Sequence, residues 1–158
     1  MTTPQSLRAD YVAIAAGAAA LALILGALGF QYLGGLAPCE MCHWQRWPHI
    51  AAALIGILGG GFLPRRYGVP LAMAVILLVA TSGLIALYHT GVQYHVIQGP
   101  QACTVDHPYV LGSNVPPQVR CDVPVYVLGL VFPAWNALFS FLIAGTAIFA
   151  LMKNAPQS

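Results

Sequence analysis

Four cysteines are the residues of this 158-residue sequence whose spacing could support redox chemistry. Cys39 and Cys42 are separated by two residues, whereas Cys103 and Cys121 lie far apart in a proline-rich stretch. A disulfide across two residues closes too small a loop to restrict the unfolded chain much, so the value of the first pair is chemical. Such pairs favour a thiolate at neutral pH, and a helix amino terminus, which we expect near Cys42, lowers the thiol pKa further. For the second pair, a structural disulfide and a redox-active one remain equally open.

Zinc binding is the competing explanation for four cysteines. The second pair lacks the short spacing of a zinc knuckle. We therefore expect no metal site in this chain.

Arg46 and His89 are further candidates because charged or ionisable side chains are costly in apolar helices. Arg46 follows Cys42 by four positions, so a helix would present both side chains on one face. It could extend its charge to the membrane surface, or it could donate to a carbonyl oxygen and support a Cys42 thiolate. His89 could be an interfacial residue or relay a proton. Trp44 and Trp47 could anchor the chain at the membrane surface or form the walls of a pocket for a flat ring.

The composition is that of a membrane protein. Hydrophobic residues make up 59% of the chain and charged residues 6%, against roughly 25% charged residues in a soluble protein. Residues 11–30 carry no charge and are long enough to cross a bilayer. Apolar blocks predict four transmembrane helices in a single domain, residues 1–158, with spans at about 11–33, 45–63, 69–91 and 133–152. The small net charge and the lack of a basic run exclude nucleic-acid binding.

Lysine and arginine in the short loops predict the orientation of this all-α bundle. Arg8, Arg65, Arg66 and Lys153 share one side of a four-span chain, and only Arg46 and Arg120 lie on the other. Both termini should be cytoplasmic. The loops at about 34–44 and 92–132, which carry all four cysteines, should then face the oxidising periplasm of a bacterial inner membrane.

Three stretches, in order along the chain, resemble the bacterial disulfide bond formation protein B (DsbB) family. Pro38 and the Cys-x-x-Cys motif, with Arg46 four residues later, resemble its first outward loop. The stretch from His89-Thr90 and Gln93 to Cys103 resembles the approach to its second. Leu128-Gly129-Leu130, with Pro133 and Trp135, resembles the entry to its last helix.

The resemblance implies a quinone-coupled thiol oxidase that supports protein disulfide formation with a DsbA-like, thioredoxin-like periplasmic partner. By position, Cys103 would form the mixed disulfide with that partner, and Cys121 would be its mate. Cys39 would exchange with the loop pair, and Cys42 would face ubiquinone or menaquinone. The cofactor site would include Arg46 near a quinone carbonyl, with His89 close by and Gln93 as a weaker candidate.

Two other classes of protein remain open at this point. A vitamin K epoxide reductase-like enzyme shares the bundle and the quinone chemistry, but in that family the loop cysteines usually precede the Cys-x-x-Cys motif, whereas here they follow it. A non-enzymatic membrane scaffold would carry two inert disulfides. The residues themselves favour a lipid-soluble electron acceptor, because the motif lies at the bilayer edge and no dinucleotide-binding signature is present.

Overall fold

The computed structural model describes residues 4–104 and 119–153, and the side chains of the first helix from Ala9 onward. It is predominantly helical. The elements in chain order are helix α1 (Pro4–Tyr32), helix α2 (Glu40–Leu54), a π-helical segment (Ile55–Gly59), a last turn α3 (Gly60–Phe62), a 3₁₀ turn (Arg65–Tyr67), helix α4 (Gly68–Gln93), a short helix α5 (Gln101–Thr104), strands β1 (Tyr126–Val127) and β2 (Leu130–Val131), and helix α6 (Phe132–Lys153).

Three helical segments in the described part of the chain are long and apolar enough to cross a membrane: Ala9–Tyr32, Arg65–Gln93 and Phe132–Lys153. They correspond to the first, third and fourth predicted spans. The second predicted span is not one long apolar helix. It holds Pro48, which lacks a backbone N–H, and it passes into the π-helical segment, where Gly56 and Gly59 lower the helix propensity. Its first half also carries the polar residues that form the site.

Helix α4 lies at the centre of the bundle and packs against α1, α2 and α6. Small side chains line its interfaces and let the helix backbones approach closely. The core cluster joins Val75, Ile76 and Val79 of α4 to alanines of the other three helices. The closest crossing is at Gly56, where an added Cβ would lie 2.5 Å from the Ala13 carbonyl oxygen. The π-helical segment therefore requires glycine at this position.

The stretch between α4 and α6 is mostly irregular where the structure describes it, as its prolines predict. Residues 105–118 of the predicted loop 92–132 lie outside the described residues. Strands β1 and β2 form an antiparallel hairpin with Tyr126 opposite Val131. Its two turn residues, Leu128 and Gly129, have φ of 49° and 85°, the positive values that a tight hairpin turn requires. The Trp135 Nε1–H donates to the Val127 carbonyl over 2.8 Å and fixes the hairpin to the start of α6.

Candidate active site

The Cys39–Cys42 pair lies at the amino terminus of α2. Cys39 caps the helix, and its sulfur accepts a hydrogen bond from the Cys42 backbone N–H over 3.3 Å. The two sulfur atoms are 2.8 Å apart. Cys39 is buried and Cys42 is half-buried. The sequence thus builds a close pair of sulfurs where the unpaired N–H groups of a helix favour negative charge.

The two sulfurs differ in acidity. The hydrogen bond from the Cys39 thiol is the largest factor that lowers the pKa of Cys42, to about 7, and the Arg46 charge acts in the same direction. The same hydrogen bond, together with burial, raises the pKa of Cys39. Cys42 therefore holds the negative charge when this pair is reduced.

His89 connects the first cysteine pair to the second. It is fully buried on α4, and its Nε2 lies 3.6 Å from the Cys39 sulfur and 3.2 Å from the Cys121 carbonyl oxygen. Its Nδ1 lies 2.8 Å from the Gln45 side-chain nitrogen. Because an amide nitrogen can only donate, Nδ1 accepts and the ring proton is on Nε2. His89 therefore presents an N–H group to the Cys39 sulfur and to the Cys121 carbonyl.

The orientation of the Gln45 amide, on which this assignment depends, is fixed by two further contacts. The Gln45 nitrogen donates to the Met41 carbonyl over 3.2 Å. The Gln45 side-chain oxygen accepts from Asn136 Nδ2 over 2.8 Å. A buried amide between α2 and α6 thus determines which nitrogen of His89 carries the proton.

Cys103 and Cys121 form a disulfide, with their Cα atoms 5.4 Å apart. Both are buried, and the Cys121 N–H donates to the Cys103 carbonyl over 2.8 Å. They share one apolar cluster with Cys39, Met41 and Val92. The structure therefore brings together the two cysteine pairs, which lie in separate loops of the sequence.

A cavity of about 280 Å³ opens beside Cys42, between α1, α2 and α6. Arg46 lines it, one helical turn from Cys42, and its guanidinium donates to the Gln31 side-chain oxygen over 2.7 Å. The volume is close to the roughly 300 Å³ at the lower end for small-molecule sites. Trp44 and Trp47 are exposed and are not part of its lining, so their interpretation as pocket walls is wrong. Both side chains face away from the cavity, and its aromatic residues come instead from neighbouring segments, including Phe30 and Trp135.

Gln93 also lines the cavity and is buried on α4, one turn after His89. Its side-chain nitrogen lies 3.4 Å from His89 Nε2. Its side-chain oxygen has no hydrogen-bond partner among the described residues. Because His89 Nε2 carries the ring proton, the Gln93 amide can form a hydrogen bond with it only through its oxygen.

The sulfurs of Cys39 and Cys42 and a ring nitrogen of His89 lie within 4.8 Å of one another, a set that could hold a metal ion. Spacing of the cysteines alone does not predict this set, because His89 comes from another helix. Metal ligation requires the lone pair of a histidine nitrogen, whereas the contacts of Gln45 leave the proton on the Nε2 that faces the sulfurs. The site as built is therefore suited to hydrogen bonding with sulfur.

A polar network that was not predicted from the sequence lies further along α2 from the cysteines. It consists of five buried or half-buried side chains from three helices: Gln45, His49, Ser82, Asn136 and Ser140. Spacing would have revealed it, since Gln45 and His49, and also Asn136 and Ser140, are pairs four residues apart on predicted spans. A polar pair on one face of an apolar helix indicates a functional or packing role.

The family model and the individual relatives that match this chain carry the same description. The family model described as "Disulfide bond formation protein DsbB" matches residues 9–150. The disulfide bond formation protein B of Alkalilimnicola ehrlichii is 32% identical over 146 residues, which cover 85% of this chain and 88% of that protein. That of Aromatoleum aromaticum is 34% identical over 149 residues, with coverage of 85% and 87%. No solved structure gives a significant match. With its helical membrane bundle and paired cysteines, the chain belongs to the DsbB family of disulfide oxidoreductases.

Proposed function

We propose that this chain is a quinone-coupled thiol oxidase that reoxidises a DsbA-like periplasmic dithiol protein and so supports protein disulfide formation. One observation carries the proposal. The Cys39–Cys42 pair shares a buried cluster with the Cys103–Cys121 disulfide and also adjoins the cavity lined by Arg46. Electrons entering at the second pair can therefore reach the first, which is the pair beside the cavity.

The proposed setting is a bacterial inner membrane crossed four times, with both termini in the cytoplasm and the cysteine loops in the periplasm. Arg65 and Arg66 lie in the 3₁₀ turn before α4, and Lys153 ends α6. The cysteines lie on the other side of the bundle, near the amino end of α2 and the carboxyl end of α4. This distribution of positive charge supports the orientation.

In the first proposed step, a thiolate of the reduced partner attacks the Cys103 sulfur, and the bond to Cys121 breaks. The products are a mixed disulfide and a Cys121 thiolate. The second thiol of the partner then displaces Cys103, so the partner leaves as a disulfide and both loop cysteines are reduced. Cys103 is 1% exposed, and this exchange therefore requires the loop to open.

In the second proposed step, a loop thiolate attacks Cys39 of a Cys39–Cys42 disulfide, and Cys42 leaves. The other loop thiol then closes the Cys103–Cys121 bond again, which leaves Cys39 and Cys42 reduced. The lower pKa of Cys42 makes it the better leaving group. The N–H of His89 points to the Cys39 sulfur and is positioned to stabilise charge that develops there.

The cavity fits a quinone ring in position and chemistry. It adjoins Cys42, it is largely apolar, and the Arg46 guanidinium supplies donors for a carbonyl oxygen. The Gln93 side-chain amide, which also lines the cavity, offers a further polar contact. A bound quinone, ubiquinone or menaquinone, supplies the capacity to accept two electrons and two protons. Arg46 would hold a carbonyl oxygen and lower the free energy of negative charge beside Cys42.

The proposal is tested with the purified full chain under anaerobic conditions, titrated with reduced DsbA and ubiquinone while quinone absorbance is followed. We expect a stoichiometric loss of absorbance that disappears in Cys42→Ser and persists in Trp47→Phe, an exposed change on the same helix. Cysteine alkylation before and after addition of DsbA gives a second measurement. Cysteines that do not change state would indicate a scaffold with inert disulfides and would refute the oxidase.

A further inference from the structure

His49 is a buried histidine of α2 that the proposed exchange does not use. It is 2% exposed, lies three residues after Arg46 on the same face of the helix, and lines the same cavity. Its Nε2 lies 3.0 Å from Asn136 Oδ1 and 3.2 Å from Ser140 Oγ. Its Nδ1 is buried and has no partner in the described part of the chain.

The network around Asn136 determines the tautomer of His49. Asn136 Nδ2 donates to the Gln45 side-chain oxygen over 2.8 Å and to Ser82 Oγ over 3.3 Å, so its Oδ1 faces His49. An amide oxygen only accepts, and His49 Nε2 must therefore carry the proton. His49 Nδ1 is left with an unpaired lone pair, on a side chain that lines the cavity. An unsatisfied buried acceptor costs free energy, which a ligand with a donor group would remove.

We propose that His49 Nδ1 accepts a hydrogen bond from a hydroxyl group of the quinol in this cavity, with Arg46 contacting the other ring oxygen. This inference rests on the proposed function. A quinone carries only acceptor oxygens, whereas its quinol carries two O–H donors. His49 therefore makes the cavity bind the quinol more tightly than the quinone, and this is a preference that Arg46 alone, with donors only, would not produce.

The consequence is a stronger oxidant at the site. Oxidation of the Cys39 and Cys42 thiols to the disulfide releases two electrons and two protons, which together convert a quinone to its quinol. Tighter binding of the quinol raises the midpoint potential of the bound couple by about 30 mV for each tenfold preference. His49 thus acts as a ligand-binding residue that favours electron flow away from the cysteines.

The test measures binding without electron transfer. Equilibrium dissociation constants for ubiquinone-1 and its quinol are determined on the full chain with Cys39 and Cys42 both replaced by serine. Trp44 and Trp47 are replaced by phenylalanine, so quenching of the remaining Trp135 reports occupancy of the cavity that this side chain lines. The readout is the ratio of the two constants on one preparation, so partial loss of folded protein does not change it.

Two substitutions of His49 distinguish the roles of its two ring nitrogens. The amide nitrogen of glutamine is as many bonds from Cβ as Nε2 is in histidine. His49→Gln therefore keeps the donor to Asn136 and removes the Nδ1 acceptor. The side-chain oxygen of asparagine is as many bonds from Cβ as Nδ1 is in histidine. His49→Asn therefore keeps the acceptor. We expect His49→Gln to reduce the quinol preference by about three- to tenfold, the effect of one hydrogen bond. His49→Asn and the exposed control His43→Gln should retain it.

An unchanged ratio in His49→Gln would overturn the role of His49 while leaving the proposed function intact. Equal loss of the preference in His49→Gln and His49→Asn would also overturn it, because that result would indicate a packing effect. Failure of the starting protein to bind either form would refute the quinone site itself, and the His49 proposal with it.

Discussion

The two cysteine pairs occupy the same buried cluster but differ in what surrounds them. Cys39 and Cys42 belong to the first turn of a helix that is fixed in the bundle, with the cavity on one side and His89 on the other. Cys103 lies in the short helix α5 and Cys121 in the irregular stretch before β1, and the two are joined by a disulfide and a backbone hydrogen bond. In the proposed function, the fixed pair serves the membrane side of the reaction and the loop pair serves the partner.

Removal of one sulfur from each pair gives the largest expected effects. Cys103→Ser should abolish oxidation of reduced DsbA but leave oxidation of the small dithiol dithiothreitol, which can reach the first pair directly. Cys42→Ser should abolish both reactions, because it removes the sulfur beside the cavity. Quinone absorbance measured with each reductant provides the check. Loss of dithiothreitol oxidation in a folded Cys103→Ser protein would remove the distinction between the pairs.

Arg46→Ala should slow the reduction of quinone but not the exchange with the partner. Charge-assisted hydrogen bonds contribute about 1.5–3 kcal/mol, so quinone reduction should slow by roughly ten- to a hundredfold. Formation of the mixed disulfide with DsbA, trapped by alkylation and separated on a gel, should keep its rate. Equal loss of both would refute this division.

Gln31→Ala is the matched control for the arginine. It removes the hydrogen-bond acceptor 2.7 Å from the guanidinium but leaves the charge at the cavity. We expect a smaller loss than in Arg46→Ala. A loss as large as that of Arg46→Ala would assign the effect to the orientation of Arg46 and not to its charge.

The acidity of Cys42 gives the next effect. Its pKa is lowered to about 7, mainly by the hydrogen bond from the Cys39 thiol, so its alkylation rate in the reduced protein should rise with pH and be half-maximal near pH 7. Below that pH the thiol is protonated and the rate falls. Cys39→Ala removes the donor, and the pKa of Cys42 should return towards about 8.5, which slows alkylation at pH 7 by about tenfold.

Cys39→Ser is the matched control, since a hydroxyl can also donate to the Cys42 sulfur and cap the helix. The pH profile of alkylation, followed by mass spectrometry, should shift much less in this variant than in Cys39→Ala. If the two variants shift equally, the hydrogen bond from residue 39 is not the cause of the low pKa.

The sequence predicted the helical bundle and the close Cys39–Cys42 pair because both depend on local patterns. Apolar blocks of sufficient length predict helices at three of the four expected spans, and the spacing of Cys39 and Cys42 identifies a redox motif without any tertiary information. The second span differs for a local reason as well, since α2 contains Pro48 and passes after Leu54 into the π-helical segment that holds Gly56 and Gly59.

The contacts between helices could not be predicted in this way. Spacing marks Gln45 and His49 as a polar pair on α2, but Asn136 lies far along the chain, and spacing does not show that the two helices bring them together. Their hydrogen bonds depend on the rotation of α2 against α6, which is set by packing of small residues along the whole interface. The tautomers of His49 and His89 follow from those contacts, so the chemistry of the site is determined by tertiary structure.

Asn136→Ala gives the smallest and most selective effect. It removes the donor to the Gln45 side-chain oxygen and leaves the Met41 carbonyl as the remaining contact that orients this amide, so the His89 N–H next to the Cys39 sulfur is held less firmly. We expect a loss of about 1–3 kcal/mol in the free energy of unfolding, from buried groups left unpaired. The reduction potential of the Cys39–Cys42 pair should shift by less than about 30 mV, which corresponds to less than a tenfold change in its dithiol–disulfide equilibrium constant. The reduction potential of Cys103–Cys121 should shift by less still.

The two potentials are measured by equilibration with glutathione buffers and alkylation of each pair. Ser140→Ala is the control, because Ser140 lies one turn further along α6 and contacts His49 and Asn136 but not Gln45. It should destabilise the fold without changing either potential. An equal shift of both pairs in Asn136→Ala would mean that the amide supports the whole cluster, and the fixed pair would then owe its distinct chemistry to the helix terminus and the Arg46 charge alone.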